Sequence, residues 1–183
     1  MSRMPKCFVF DLDNCCWDPE MYQMRAGSPF TYDAARNVCT ALSGRGEEVH
    51  LLGDVPEIWN MIRREPRFEG AKIAIASCCD EPAWARELLG LFEVRPGGEK
   101  MKDCVAHPEI RWGGKQTHLQ LISDRLGIAL EDMVFFDDQH RHCRDAEAIG
   151  VTGVHVPSGG VTKAALEQGL RAFAERPRGR SGR

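Results

Sequence analysis

Short apolar runs alternate along this chain with stretches whose apolar positions recur every three or four residues. The first run, CFVF at 7–10, has no polar interruption and ends at Asp11. Runs of this length bounded by turn signals predict strands buried on both faces. Similar runs cover 71–77 (AKIAIAS, after a turn at Gly70), 132–138 (DMVFFDD) and 152–156, with a weaker strand signal at 104–107. Helical patterns lie between them. Val55, Ile58, Trp59 and Ile62 make one apolar face over 55–65, with Asp54 as N-cap and Pro56 in the first turn. Residues 81–91 have helix character. Gly113-Gly114-Lys115 opens a helix with Leu119, Ile122 and Leu126 on one face and Gly127 as its stop. Helices are also predicted over 139–150, closed by Gly150, and over 161–174.

Residues 18–50 interrupt the alternation. They contain Pro19, Gly27, Pro29, Gly44 and Gly46 and no sustained period. Short strand pieces at 30–32 and 49–52 predict a hairpin or flap after the first strand. No long helical pattern marks a separate cap domain. The fold expected is therefore α/β: a three-layer sandwich whose central parallel sheet is covered by helices on both faces, with a small flap. A length of 183 residues fits one domain, taken as 1–175 with the flap at 18–50. The basic tail at 176–183, RPRGRSGR, is expected to be disordered.

Composition narrows the function classes. A net charge of -3 implies no basic face for nucleic acid. No apolar stretch approaches the roughly 20 residues of a membrane span, and MSRMPK at the start lacks the apolar centre of a signal peptide. A cytoplasmic protein without a membrane partner is expected. The eight cysteines form no CxxC pair, which disfavours zinc-ribbon and thioredoxin chemistry, and reduced thiols are the default.

Candidate chemistry gathers at the strand ends. Asp11 and Asp13 are two apart, so on extended backbone they project the same way. Two like charges that close resist ionising together, and a divalent cation relieves them; Mg²⁺ prefers such oxygen ligands. Ser77 and the pair Asp137/Asp138 also sit at the C-terminal ends of predicted strands, where ligands bind in parallel sheets. The set reads as a phosphoryl-transfer site. Carboxylates from two strand ends can hold Mg²⁺, and the metal with one lysine can neutralise a phosphate dianion. A serine hydroxyl and the amides of the following turn can hold phosphate oxygens. One Asp can attack phosphorus while the other exchanges the proton.

The four segments stand as DLDNC (11–15), AIAS (74–77), GGK (113–115) and FFDD (135–138). Together they resemble the motifs of the haloacid dehalogenase superfamily. Over roughly 6–173 the chain resembles its capless magnesium-dependent phosphatases, through PKxxVFDLDxxxW, VPE before the first helix, HPEI…GGKxxH and MxFFDD. The resemblance implies a Rossmannoid fold and Mg²⁺-dependent hydrolysis of phosphate monoesters through an aspartyl-phosphate. Asp11 would be nucleophile and metal ligand. Asp13 would be general acid/base and bind metal through its carbonyl. The Leu12 amide and Ser77 would hold the phosphate, and Lys115 would stabilise it and orient Asp11. Asp138 would bind the metal, with Asp137 either a ligand or an outer partner. Cys78 falls at a substrate-binding position where the close family usually has Arg. The resemblance points to phosphotyrosine, or sugar and fructosamine phosphates, so to a phosphorylated small molecule or phosphoprotein as partner; oligomeric state stays open.

Three departures stand out: Cys15 replaces a usual Thr or Ser, Cys78 an Arg, and His142 an Asn or Asp. They motivate a second reading, a weakened or non-catalytic phosphate-binding module. His140, His142 and Cys143 are expected along the solvent side of a helix start. Trp17, Trp59 and Trp84 are expected in the core; Trp112, Glu20 and Tyr22 are candidates for the mouth of the site. Cys15/Cys16 and Cys78/Cys79 would cluster at the catalytic end, where oxidation could block it.

Overall fold

The computed structural model describes residues 3–177. The apolar run Cys7–Phe10 is a fully buried strand, β1. It is followed by short strands β2 (Trp17–Asp18), β3 (Phe30–Asp33), β4 (Val38–Ala41) and β5 (Glu48–Leu51), then helix α1 (Val55–Arg64). The rest alternates: β6 (Lys72–Ser77), α2 (Pro82–Leu91), α3 (Met101–Cys104), β7 (Val105–Ile110), α4 (Lys115–Leu126), β8 (Met133–Asp137), α5 (His140–Ala148), β9 (Thr152–His155) and α6 (Lys163–Glu175). Among the described residues, no helix is long and apolar enough to cross a membrane.

Five strands form a wholly parallel sheet in the order β7-β6-β1-β8-β9. The chain leaves β1 toward one edge and later returns to fill the other side. Strand order therefore reverses beside β1, and such a reversal opens a crevice at the carboxyl ends. Alternate residues serve opposite faces. Phe8, Phe10, Ile73, Ile75, Val134 and Phe136 pack in one cluster with residues of α1, α2 and α6. Cys7, Val9, Ala74, Ala76, Met133 and Phe135 pack on the other face with Leu119 and Ile122 of α4 and Ala146 of α5. Those are the three layers expected from the continuous apolar runs. Gly127 stops α4 in the left-handed region, with φ of 64°, where a side chain would be strained.

The region at 18–50 is a sheet rather than a hairpin. Its order is β2-β5-β4-β3, so β4 lies between the two strand pieces expected to pair. The two strands the pattern does not predict are Trp17–Asp18 and Val38–Ala41, because runs of two and four residues carry little signal of their own. This sheet is docked on α2 and the loop after it. The Phe30 amide donates to Glu87 Oε1 at 2.7 Å. The Asn37 side chain both donates to the Glu93 carbonyl at 2.9 Å and accepts from its amide at 3.1 Å. Trp84, expected in the core, is partly buried and lies over Gly27, where an added Cβ would fall 2.3 Å from its ring. Gly27→Ala is expected to cost about 1–3 kcal/mol, the usual penalty of overpacking. Urea unfolding reads this directly, and an unchanged midpoint would contradict the docking.

Two local expectations need correcting. Asp54 makes no side-chain bond to α1; its Oδ2 accepts from the Lys163 amide at 2.8 Å, tying the first turn of α6 instead. The strand signal at 104–107 belongs to a longer strand, because Cys104 ends α3 and β7 runs through Pro108 to Ile110. Proline is tolerated there because β7 lies at the sheet edge. Of the tail at 176–183, residues 178–183 lie outside the described residues. Arg176 donates through its guanidinium to the carbonyls of Val151 and Glu147.

Candidate active site

β1 delivers Asp11 directly after Phe10, and the Asp11 amide continues the ladder to the Phe136 carbonyl at 2.9 Å. The chain then folds back: the amides of Cys15, Cys16 and Trp17 all donate to the Leu12 carbonyl. Leu12 is fully buried, while Asp11 and Asp13 line one cleft, as their spacing implied. The Asp13 carboxyl is held from the flap side, accepting from Trp17 Nε1 at 2.8 Å and the Met21 amide at 3.0 Å. Burial nevertheless raises its pKa, the two donors acting in the opposite direction.

Lys115, at the start of α4, is 2% exposed. Its Nζ donates to Asp11 Oδ1 at 2.7 Å and to the Ala76 carbonyl at 2.6 Å, and stands 3.1 Å from Asp137 Oδ2. A cation at a helix N-terminus opposes the helix dipole, and burial disfavours its charge. The Asp11 and Asp137 carboxylates outweigh both, so the ammonium is held more firmly protonated than a free lysine. Asp11 goes the other way. Burial dominates, Lys115 only partly offsets it, and the carboxyl is pushed up to about 7.

β8 ends in Asp137, whose side chain is wholly buried. Its Oδ1 accepts from the Gln139 amide at 2.8 Å, and His142 Nδ1 lies 3.0 Å from Oδ2. Burial alone would raise this group, but His142 and Lys115 hold it below the usual carboxylate range. His142 therefore turns inward instead of lying along the solvent side. Asp138 is half-buried and its carboxylate makes no hydrogen bond to a side chain among the described residues. Burial, with Asp137 beside it, raises it to about 6. Carboxylate oxygens of Asp11, Asp137 and Asp138 all lie within 4.8 Å of one another. Three hard, partly desolvated oxygen donors at that spacing suit Mg²⁺ and would not suit a soft metal. Because Asp137 is already engaged by three groups, Asp138 has the freer oxygens.

Ser77 closes β6, and its buried hydroxyl joins the same cleft of about 120 Å³, with Cys78, Asp80, Gln139 and His142. Glu20 and Tyr22 reach it from the flap, as expected. Asp80 and Gln139 were not foreseen, since neither belongs to a motif and each is brought in by a turn after a strand end. Trp17 and Trp59 are fully buried, whereas Trp112 is 81% exposed.

Neither departing thiol disturbs the cluster. Cys15 is buried and donates to the Phe136 carbonyl at 3.4 Å, away from the cleft. Cys78 lines the cleft, but its Sγ–H is given to the Gly113 carbonyl at 2.8 Å, tying the β6 turn to the loop that carries Lys115. Burial lifts the Cys15 thiol far above its ordinary value, Cys79 to about 12 and Cys78 in the same direction. Protonated thiols react slowly with oxidants, which weakens the case for an oxidative block.

The sequence model of the acid phosphatase family matches residues 3–176. The chain belongs to the acid phosphatase family. Among relatives of this acid phosphatase family member, human magnesium-dependent phosphatase 1 is 33% identical over 175 residues, covering 96% of this chain and 90% of the human one. A HAD-like hydrolase superfamily protein of Schizosaccharomyces pombe is 30% identical over 156 residues, covering 82% and 84%. Solved structures share the fold. The N-terminal phosphatase-domain part of a Bacteroides fragilis protein, complexed with Mg, superposes with a TM-score of 0.62 at 22% identity. It covers 95% of this chain and 42% of that one. A haloacid dehalogenase-family enzyme of Bacteroides thetaiotaomicron, a magnesium complex, reaches 0.60 at 10% identity, covering 90% and 99%. This acid phosphatase family member is thus a phosphatase of the haloacid dehalogenase type, with no large cap among the described residues.

Proposed function

We propose that this protein is a magnesium-dependent phosphatase that hydrolyses phosphate monoesters through an aspartyl-phosphate on Asp11. The observation that carries the proposal is Lys115 Nζ, buried between Asp11 Oδ1 at 2.7 Å and Asp137 Oδ2 at 3.1 Å, where three strand ends meet. A buried ion pair adds little net stability over an apolar replacement, and this one engages a single oxygen of Asp11, leaving the other without a hydrogen-bond partner among the described residues and available to the cleft. Asp11, the Asp13 carbonyl and Asp138 would hold magnesium, with Asp137 as an outer partner; the bound ion would offset the negative charge of the phosphoryl oxygens.

The chain's own residues do the rest. Ser77 Oγ–H and the Leu12 amide grip phosphate oxygens, and Lys115 balances their charge. An Asp11 oxygen attacks phosphorus; the bond to the leaving oxygen breaks, and Asp13 protonates that oxygen. Asp13 then takes a proton from water, whose oxygen attacks the same phosphorus. The bond to Asp11 breaks, and inorganic phosphate leaves. The raised pKa of Asp13 suits this exchange, because an acid must carry its proton until the leaving group needs it.

Substrates are phosphorylated small molecules or phosphoproteins. Tyr22, 63% exposed at the rim of a cleft without a large cap, supports bulky leaving groups such as phosphotyrosine or sugar and fructosamine phosphates. A cytoplasmic setting fits the buried free thiols. The non-catalytic alternative rests on Cys15 and Cys78; their thiols bond backbone carbonyls and leave the cluster of Asp11, Lys115 and Asp137 intact, which supports the catalytic reading.

The test is p-nitrophenyl phosphate turnover. Activity with Mg²⁺ is expected to vanish in EDTA, to return when Mg²⁺ is restored, and to be absent in Asp11→Asn. Turnover by Asp11→Asn near that of the parent would remove the nucleophile.

A further inference from the structure

We infer that His142 is a positioning residue for this site, bracing Asp137 and through it Lys115, and that the free edge of its ring contacts bound substrate. The inference rests on the reading of Asp11 as nucleophile.

Three contacts run in series. His142 Nδ1 lies 3.0 Å from Asp137 Oδ2, Asp137 Oδ2 lies 3.1 Å from Lys115 Nζ, and Lys115 Nζ lies 2.7 Å from Asp11 Oδ1. The first and last links are hydrogen bonds and the middle one is an ion pair. The Asp137 side chain has no solvent contact, so its orientation is set only by its protein partners. On one side is the Gln139 amide, fixed by the backbone at the start of α5. On the other is Lys115, which must stay free to serve Asp11, while His142 Nδ1 spans the two oxygens, 3.1 Å from Oδ1 and 3.0 Å from Oδ2. Remove the imidazole, and the carboxylate keeps one fixed anchor and can pivot about it. Lys115 then follows, and so does the direction of the Asp11 oxygen.

The ring has a second side. Only Nδ1 is bonded; Nε2 has no hydrogen-bond partner among the described residues, and the side chain is 20% exposed, in the lining of the catalytic cleft. An imidazole anchored by one nitrogen presents the other at a fixed place. Asn or Asp, the residues expected at this position from the family resemblance, could supply the anchor but is too short to supply the free edge. His142 thus adds a substrate contact to a role a shorter side chain could also fill.

Three variants separate the two roles, assayed with p-nitrophenyl phosphate across substrate and Mg²⁺ concentration, with thermal melting of each. His142→Ala is expected to lose on the order of 10–100-fold in kcat, the range seen when outer partners of a metal site are removed. Its Mg²⁺ half-saturation should shift by less than kcat falls, because Asp137, the residue His142 holds, is only an outer partner of the ion. His142→Asn places an amide N–H near Nδ1 and is expected to recover most of kcat while KM stays raised. His142→Gln reaches toward Nε2 and is expected to recover KM better than kcat. Loss of kcat below about twofold in His142→Ala would overturn the brace. So would a Gln variant better in kcat than the Asn variant, or a Mg²⁺ half-saturation that moves in step with kcat. A parental KM in His142→Asn would overturn the substrate contact. Should His142→Ala fail to fold, the Asn and Gln comparison decides alone. Asp11→Asn separates the layers: turnover there sinks the nucleophile, whereas its absence with an unaffected His142→Ala sinks only this inference.

Discussion

Lys115→Met should lose turnover on the order of 10²–10³-fold, as when a fixed electrostatic donor is removed from a transition state, and should destabilise the protein as well. The two losses share one cause. Nζ donates to Asp11 and Ala76 and lies against Asp137, in a place that water does not reach. Without it, two buried carboxyls face each other with no cation between them. Removing one partner of a buried ionic group costs about 3–5 kcal/mol. Low pH should narrow that deficit, because protonated carboxyls no longer need the cation. Steady-state kinetics paired with urea titrations at pH 5 and pH 8 would check this. Turnover within tenfold of the parent, together with an unmoved urea midpoint, would show that Lys115 is neither electrostatic partner nor structural tie.

Asp11→Asn should lose activity on the order of 10³-fold or more, as expected for a nucleophile, yet gain stability in metal-free protein. Asp11 is buried, and its folded-state pKa of about 7 lies above the ordinary 3.8. Between those two values the native protein holds a proton that the unfolded chain has released. Stability contributed by that proton is complete below about pH 4 and is lost as pH rises through about 7. The Asn variant has no such group, so its advantage should open across this window and level off above it. Lys115 is not orphaned in the variant, since Asp137 and the Ala76 carbonyl remain. A difference of several degrees in Tm at pH 8 is the expected scale. Magnesium should reverse the order, because it binds the native parent more tightly than the variant. Melting curves from pH 4.5 to 8 in EDTA and in Mg²⁺ would test it; a metal-free variant that melts below the parent at pH 8 contradicts the burial argument.

Much of the site was legible because it lies at strand ends. In a parallel sheet covered on both faces, strands are unbroken apolar runs, and the first polar residue after each run marks the rim. Asp11, Ser77 and Asp137 stand where that rule puts them, whereas Lys115 is singled out only by the family resemblance of the GGK segment. Contacts between distant segments were not legible. Lys115 meets Asp11 across 104 positions, and Asp54 caps a helix 109 positions away instead of its own. His142 looked like a solvent-facing residue because its partner, Asp137, belongs to the preceding strand end, and no periodicity encodes such a pairing. Nor was it legible that the thiols of Cys15 and Cys78 bond carbonyls of β8 and of the loop before α4.

What the amino-acid order determined by itself is the set of local structures, and with it which residues stand at the rim of the sheet. Apolar period, glycine stops and capping chemistry are short-range and act before the chain is compact. Which of those rim residues touch was decided only by the tertiary structure. Strand order brings β1, β6 and β8 side by side, and burial then forces each carboxylate, ammonium and imidazole to find a partner because water is no longer within reach.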